Sequence, residues 1–358
     1  MNVIWLLIIC ITVLYCLCNG RVDVINAVFV SVGKETFDFV VPLLCVTAFW
    51  NGMLYIARDA KILAALEKLA HPILKRLFPD LKNDAETLGY VASNVIVNMV
   101  GLGSAATPMG LKAMQGMQQH NPHKEEASRS MVTFLVLNTA GVTLLSTTII
   151  AMRSSFHSLD VTGFMPFAIL STCFASFVGY AWIGGGIIVI NTSYILPLLV
   201  LFICVIALLR RVNAYHSFIE GVKDGIFLFS DIYPALLAMM CAITLLRESG
   251  LMEVICNGIA TYIEGIPKEI WPMVFFRPIS GNASLAVLVD IFKTCGVDSL
   301  QGIMASIIQG STDTTFYVIT LYFSSVGIKK TKNALPIGLL ADVAGIAMAI
   351  FLTVWFFG

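Results

Sequence analysis

Polar and glycine residues interrupt an apolar stretch near the end of the chain, over positions 309–315. The interruption holds one acid, Asp313, among hydroxyl side chains and one amide. An ionisable side chain inside such a stretch is costly in lipid and is therefore a functional candidate. Carboxylate and hydroxyl oxygens could coordinate Na⁺ or H⁺, or bind polar groups of a solute. The candidate residues of this cluster are Gln309, Ser311, Thr312, Asp313 and Thr314.

A second polar cluster, over positions 277–284, contains an arginine. At membrane depth an arginine costs about 2.5–3.5 kcal/mol, so Arg277 needs a carboxylate, an anionic solute or a route to the surface. Asp313 is the carboxylate that we expect beside it. The alternatives are an arginine that extends to the membrane surface, or an Arg–Asp pair that only locks helices together. The candidate residues are Arg277, Ser280, Gly281, Asn282 and Ser284.

A third cluster, over positions 94–112, combines amides with glycines and a Thr-Pro pair. Asn94 and Asn98 are four residues apart and share one helical face. Thr107 before Pro108 predicts an N-cap, whose free N–H groups suit anions or carbonyl oxygens. The alternative is close packing of small residues between helices. With the polar pair 138–139 further on, the candidate residues are Asn94, Asn98, Gly103, Thr107, Asn138 and Thr139.

The sequence lacks the motifs of metalloproteases, serine hydrolases and P-loop enzymes. His120 and His123 share a predicted loop, but this spacing without a third ligand is a weak zinc pattern. Most of the nine cysteines lie inside apolar runs, where cysteine behaves as a small hydrophobic residue. We therefore expect no enzyme activity, no bound metal and no cofactor.

Membrane helices are the elements that must position these clusters. Hydrophobic residues make up 58% of the 358 residues and charged residues 12%, against about 25% charged in soluble domains. The mean hydropathy is +0.87, and the net charge of zero gives no indication of a nucleic-acid partner. The first apolar run lacks a basic flank and is predicted to be a retained helix rather than a signal peptide. About eight runs have spanning length, at residues 3–18, 37–56, 129–152, 163–182, 186–209, 226–247, 302–325 and 334–356.

Two further regions, 88–117 and 271–292, are each predicted to form two short helices that meet at a polar, glycine-rich break. Such backbone survives at membrane depth only where protein or water surrounds it. An amphipathic helix over residues 60–78 is expected to lie along the interface. The predicted fold is an all-α polytopic membrane protein with about eight transmembrane helices and two broken, re-entrant hairpin-like segments.

These features recur in the same order, which predicts two structural repeats. Lys34 recurs as Lys223 and Arg58 as Arg247, both displaced by 189 positions (223 − 34 and 247 − 58). An amphipathic stretch, a broken segment and a polar-centred crossing follow each arginine. Paired broken segments are typical of the central site of a transporter.

We expect the repeats to occupy residues 1–184 and 185–358. If each broken segment is re-entrant, the halves cross the membrane an even number of times and share one orientation, whereas inverted halves need an odd number. The basic residues of the loops do not decide between the two arrangements.

The motifs resemble those of spore maturation proteins A and B, fused in one chain. The first half is similar to protein A through NMVGLGSAATPMGLKAM (98–114), FLVLNTAG (134–141) and TTIIAMR (147–153). The second half is similar to protein B through SFIEGVKDG (217–225), RPISGNASL (277–285), QGSTDTTFYVITLYF (309–323) and VGIKKTKNAL (326–335). This resemblance implies nucleoside-recognition, or Gate, membrane domains, with relatives among concentrative nucleoside transporters and ferrous-iron transporters. It also implies a multi-pass protein of the bacterial inner membrane.

The function that we expect is transport of a small polar organic solute, such as a nucleoside, an amino acid or a small organic anion. The site would lie at the membrane midplane, between the two broken segments. One alternative is an ion or divalent-metal permease, although the polar breaks lack the soft ligands that such metals favour. Another is a non-transporting membrane factor for envelope or spore maturation. The expected partners are the solute or ion and the lipid bilayer, without nucleic acid, and a homo-oligomer is left open.

Overall fold

The structure, a computed structural model, describes residues 2–99, 103–141, 143–144, 146–181, 195–261 and 265–358. The described residues form α-helices and two single-turn 3₁₀ helices, without a β-strand, which confirms the prediction of an all-α protein. The α-helices in chain order are α1 (Asn2–Cys18), α2 (Val22–Asp59), α3 (Ile62–Leu77), α4 (Ala85–Met99), α5 (Gly103–His120), α6 (Arg129–Thr139), α7 (Thr147–Ser155), α8 (Met165–Ala181), α9 (Ile195–Leu209), α10 (Ala214–Glu248), α11 (Leu251–Ala260), α12 (Trp271–Ile279), α13 (Gly281–Thr294), α14 (Leu300–Ser311), α15 (Thr315–Ser325) and α16 (Ala334–Phe357).

The described helices follow one another in the same order twice. An apolar helix (α1, α9) precedes a long helix (α2, α10), and then come an amphipathic helix (α3, α11) and a 3₁₀ turn (Pro79–Leu81, Lys268–Ile270). Two helices that pack along each other form a hairpin next, α4 with α5 and α12 with α13. Two short helices and one apolar helix complete each series, α6 to α8 and α14 to α16. The division into two structural repeats stays a prediction.

The two long helices, α2 and α10, pack along each other in opposite directions. The Ser217 hydroxyl, near the start of α10, donates a 2.6 Å hydrogen bond to the Asp59 carboxylate at the end of α2. Further along α10, a Cβ at Gly225 would lie 2.9 Å from the Cα of Ala48. Glycine therefore allows the two backbones to approach, and small residues are the usual means of close helix packing in membranes.

The apolar helices α8 and α16 also run antiparallel. The Phe167 and Phe356 rings lie 5.1 Å apart between centroids, and the Ser171 hydroxyl donates a 2.6 Å hydrogen bond to the Gly345 carbonyl. Residue numbers thus rise along one helix as they fall along the other. Both helices pack against α6 and α14, so these four helices form one packed group.

Large apolar side chains cover the outer faces of several helices. An exposed apolar surface of this extent is typical of a face that meets lipid. Examples are Leu7, Leu14, Leu69, Ile73, Leu208, Phe227, Val343 and Phe351. By length and hydropathy, α16 is the one helix in the described part of the chain that could cross a bilayer alone. Shorter apolar helices span Trp5–Cys18, Met165–Ser176 and Val200–Leu209, so the count of about eight crossings stays a prediction.

Two predicted crossings are each divided into two helices. Residues 129–152 contain α6 and α7, and residues 302–325 contain α14 and α15. The prediction of one continuous helix was wrong in both places, because hydroxyl side chains and glycine at the polar centres favour backbone conformations that end a helix. The described part of the chain therefore has two interrupted segments that were not predicted.

The predicted N-cap at Thr107 was also wrong. Helix α5 begins at Gly103, so Thr107 lies in its second turn. The alanines that precede it are the strongest helix formers and extend the helix upstream. The centre of the first break, at residues 100–102, lies outside the described residues, as does the predicted boundary between 184 and 185.

Ion pairs join loops of one predicted half to those of the other. Lys330, before α16, lies 3.0 Å from the Glu126 carboxylate, before α6. On the other side of the centre, the Arg153 guanidinium of α7 lies 2.7 Å from the Asp298 carboxylate, before α14. The second Asp298 oxygen accepts a 2.8 Å hydrogen bond from the backbone N–H of Leu159. Both connections therefore link the segment before one interrupted pair of helices to a loop of the other half.

Candidate functional site

The interruption between α6 and α7 meets the interruption between α14 and α15. The backbone N–H of Asp313 donates a 2.6 Å hydrogen bond to the carbonyl oxygen of Thr139. Thr139 ends α6, and Asp313 follows the end of α14 by two residues. Helix ends leave carbonyl and N–H groups without partners inside the helix. This bond satisfies two of them and brings the two interruptions together inside the protein.

The two interrupted pairs pass each other in opposite directions. Helix α7 ends beside α14, where the Arg153 guanidinium donates a 3.1 Å hydrogen bond to the Ser306 hydroxyl. Helix α15 ends beside α5, where the Gln118 amide donates a 3.0 Å hydrogen bond to the Val326 carbonyl. Since α5 leads into α6, each pair begins on the side where the other finishes.

Both hairpins reach the interruptions. The Leu144 N–H, between α6 and α7, donates a 2.7 Å hydrogen bond to the carbonyl of Met99, the last residue of α4. In the other hairpin, the Ser280 hydroxyl accepts a hydrogen bond from the first turn of α13 and so caps that helix. Gly281 follows the cap, and a Cβ there would lie 3.1 Å from the Thr314 hydroxyl oxygen. Both hairpins therefore contact the region where the two interruptions meet.

An amide network lies on the first-half side of this region. The Asn98 amide donates a 2.9 Å hydrogen bond to the amide oxygen of Asn138, which also accepts from the Tyr322 hydroxyl at 3.3 Å. The Asn94 amide donates to the same Tyr322 hydroxyl at 3.2 Å and to the Ala106 carbonyl at 3.0 Å. The network thus connects α4, α5 and α6 with α15 of the second half. Tyr322 was not predicted as a site residue. In the sequence it is a tyrosine inside an apolar run, and only the fold brings its hydroxyl to these amides.

Arg277 lies inside the protein, 5% exposed, and does not extend to the surface. Its guanidinium donates a 2.9 Å hydrogen bond to the carbonyl oxygen of Gln309, near the end of α14. The predicted contact with Asp313 was wrong, because within the described residues Arg277 has no carboxylate inside 4.0 Å. The exposed Asp313 carboxylate instead accepts a 2.7 Å hydrogen bond from the backbone N–H of Thr314. Short Asp side chains commonly satisfy backbone groups beside a helix end in this way.

A second carboxylate, Asp342 on α16, lies in the same cluster and is completely buried. The charges of Asp313 and Asp342 both act on Arg277. Asp342 is not among the residues predicted from the sequence, although an acid in the middle of the apolar run 334–356 is itself a signal of function. The run was interpreted as a plain crossing.

Several buried polar atoms in the cluster lack a hydrogen-bond partner within the described residues. Buried polar groups of folded proteins are nearly always paired, so such a concentration indicates a place for water, an ion or a ligand. These atoms are Arg277 Nε, Gln309 Oε1, Thr312 Oγ1, Thr315 Oγ1 and both carboxylate oxygens of Asp342.

Other predicted site residues are not joined as we expected. The hydrogen bonds of Asn94 and Asn98 in the described part of the structure go to Ala106, Tyr322 and Asn138 rather than to Ser280, Asn282 or Ser284. The hydroxyls of Thr139, Ser284 and Ser311 donate to carbonyls of their own helices. These hydroxyl oxygens keep acceptor capacity, because a hydroxyl has one donor and two lone pairs.

Comparison with known proteins gives two relatives. The chain is 42% identical over 165 residues to spore maturation protein B of Bacillus subtilis (strain 168), which covers 46% of this chain and 93% of that protein. It is 38% identical over 171 residues to spore maturation protein A of the same organism, which covers 48% of this chain and 87% of that protein. No family model matches the chain. Within the described residues, no group of three or more His, Cys, Asp or Glu side chains could hold a metal ion.

Proposed function

Because the chain belongs to the family of spore maturation proteins A and B, as a fusion of the two, we propose that it is an inner-membrane permease for a small polar organic solute. The observation that carries the proposal is the bond between Asp313 and Thr139, where two helix interruptions meet. Backbone that leaves the helix inside a membrane protein is tolerated where it lines a cavity or a pathway. Sites of this kind recur in secondary transporters.

The two halves, residues 1–184 and 185–358, are proposed to be inverted repeats. The support is the direction of corresponding helices, since α2 runs opposite to α10 and α8 runs opposite to α16. Two halves of one orientation would have corresponding helices parallel to each other. An inverted pair places equivalent gates on opposite sides of the membrane, which is the symmetry that alternating access uses.

The solute that suits the site has both neutral polar groups and a charged group. The amides of Asn98 and Asn138 offer donors and acceptors on one side of the Thr139–Asp313 contact. Arg277 and the exposed Asp313 carboxylate offer both signs of charge. This combination fits a nucleoside, an amino acid or a small organic anion better than an uncharged apolar compound.

Movement is proposed to occur between the central helices and the long pair. Helices α2 and α10 form a close-packed unit through Gly225 and its neighbours. The hairpins contact the interrupted helices at the non-helical backbone between their two parts. Backbone of this kind can absorb a change in the angle between helices. The hairpin tips would then uncover the site to one side of the membrane at a time.

A thermal-shift screen of the purified protein at fixed sodium and pH tests the proposal. Nucleosides, amino acids and small dicarboxylates are the probes, followed by uptake of the best ligand into proteoliposomes. Asp313→Asn and Arg277→Lys should each abolish uptake while leaving the folded protein intact. Asp23→Asn, an exposed change in the first turn of α2, is the matched control and should transport normally.

A second candidate function is a membrane factor for spore maturation that moves no solute, which the names of the two relatives favour. Its variants would lose a binding partner rather than flux. Normal uptake by both Asp313→Asn and Arg277→Lys, or no ligand response from any probe class, would favour this second function over a permease.

A further inference from the structure

We infer that Asp342 is the centre of a binding site for one monovalent cation, Na⁺ or a proton, beside the interruption between α14 and α15. The inference rests on the proposed function only in that this cation would energise solute movement. The binding itself is a property of the resting protein and can be measured without any solute.

The shape of α16 brings oxygens to Asp342. Gly338, Asp342 and Gly345 are spaced i, i+4 and i+7 and so share one face of α16. A Cβ at Gly338 would lie 2.7 Å from the Thr315 methyl carbon, and one at Gly345 would lie 2.6 Å from the Thr312 methyl carbon. The two glycines therefore let both threonines close on the helix above and below the carboxylate.

The oxygens around Asp342 are unsatisfied. The Thr315 and Thr312 hydroxyls lie close enough to the carboxylate to interact with it, but none of these oxygens takes part in a hydrogen bond of regular geometry within the described residues. The Gln309 side-chain oxygen is also buried and has no hydrogen-bond partner within the described residues. A buried carboxylate without a partner is very unfavourable, whereas several oxygens around one point are the ligand set of a hard cation such as Na⁺. A proton on the carboxylate would meet the same need.

The charge of the cluster indicates a monovalent cation. Arg277 supplies one positive charge, and Asp313 and Asp342 supply two negative charges. One cation of charge +1 makes the cluster neutral, which low-dielectric surroundings favour. Helix α6 beyond Arg129 and all of α8, which also pack on α16, contain no acidic or basic side chain.

A cavity of about 790 Å³ lies on the loop side of α6 and α16. Its lining includes His120, Arg129, Thr133, Lys332 and Ile337. Ile337 is five residues before Asp342, or about 7.5 Å along the helix axis.

The first half has no counterpart of this carboxylate. Pro166 and Pro336 lie near the starts of α8 and α16 and are 170 positions apart (336 − 166). The same displacement aligns Asp342 with Thr172. The Thr172 hydroxyl donates a 2.7 Å hydrogen bond to the Ala168 carbonyl of its own helix. The aligned position of the first half therefore offers no carboxylate for a second site of this kind.

The test is the thermal stability of the purified full-length protein in detergent without organic solute. NaCl replaces choline chloride at constant ionic strength, over a pH series from 5 to 9 (about four decades of proton concentration). Wild type should show a saturable rise of Tm with Na⁺, or a rise with falling pH if the proton is the occupant. Asp342→Asn should abolish that response, and Thr315→Val should shift the half-saturating Na⁺ concentration upward by about tenfold or more, or, in the proton case, displace the pH at which Tm changes.

Asp290→Asn is the matched control, because Asp290 is another shielded acid, paired with Arg247 at 2.8 Å outside the cluster. It should keep the wild-type response to Na⁺ at fixed pH. An equal response to Na⁺ and pH in wild type and Asp342→Asn would overturn the inference, as would a wild type that responds to neither. If Asp342→Asn fails to fold, Thr315→Val decides alone, and an unchanged cation response there counts against the site. A solute screen without hits would count against the permease but would not affect the measured cation response. The permease proposal and the cation-site proposal can therefore be refuted independently.

Discussion

The hydroxyl of Tyr322 lies 3.3 Å from the amide oxygen of Asn138 and so joins α15 of one half to α6 of the other. Tyr322 also accepts from Asn94, and its ring packs 5.5 Å from that of Phe134 between centroids. A Cβ at Gly110 would collide with the tyrosine hydroxyl, so α5 leaves space for this ring. One side chain therefore ties the first hairpin to the meeting point of the interruptions.

Tyr322→Phe should lower the stability of the protein by about 1–2 kcal/mol, because it removes a buried hydroxyl and leaves the Asn94 amide one partner short. The measurement is the Tm of the purified variant in detergent. Tyr317→Phe, at an exposed position of the same helix, should change Tm little. Equal effects of the two substitutions would show that the amide network adds nothing specific.

Gly338→Ala should destabilise the protein, because the added methyl group would lie 2.7 Å from the Thr315 methyl carbon. Overpacking of this kind typically costs about 1–3 kcal/mol. Gly89→Ala in α4 is the matched control, since nothing lies within 4 Å of its added Cβ. Alanine has the higher helix propensity, so that control should be neutral or slightly stabilising. A stable Gly338→Ala protein would mean that α16 does not approach the interruption this closely.

Asp298→Asn should weaken the connection between α7 and α14. It leaves the Arg153 guanidinium, 2% exposed, without its carboxylate. Breaking a fully buried pair costs about 3–5 kcal/mol, but Asp298 is 34% exposed, so solvent screening reduces the expected loss to about 1–2 kcal/mol. Glu253→Gln, which breaks a surface pair with Lys268 at 3.5 Å, should have little effect. The comparison is made by chemical unfolding in mixed micelles.

The thermal stability of the protein should fall at acidic pH, because protonation of Glu126 removes its ion pairs. The ammonium groups of Lys330 and Lys332 lower the pKa of Glu126 to about 2. A depressed folded-state pKa gives stability that is complete above the unfolded value of about 4.3 and is lost as the pH falls from there toward 2. Glu126→Gln should remove this part of the acid dependence. The readout is Tm against pH, and an identical acid slope in wild type and variant would contradict the assignment.

The sequence determined more of the architecture than of the site. Apolar runs, the amphipathic stretch at 60–78 and the glycine-rich break in each half predicted an all-helical protein with the features in order, because hydrophobic period and helix-breaking residues act locally. The Arg277 cluster was identified for the same reason, since a charge in an apolar run is costly wherever the run folds. Local signals did not predict that 129–152 and 302–325 would each divide, because their polar centres are also compatible with a continuous helix.

Only the tertiary structure decided which polar groups meet. Asp313 was expected beside Arg277, but the carboxylate turns to the adjacent Thr314 N–H, and the guanidinium binds a backbone carbonyl. Asp342 and Tyr322 became visible as site residues only through the packing of α16 and α15. The antiparallel course of α2 and α10 likewise depends on contacts between residues about 160 to 180 positions apart, which no local pattern encodes. Side-chain type and local period set the helices, whereas long-range packing sets which of their polar groups face each other.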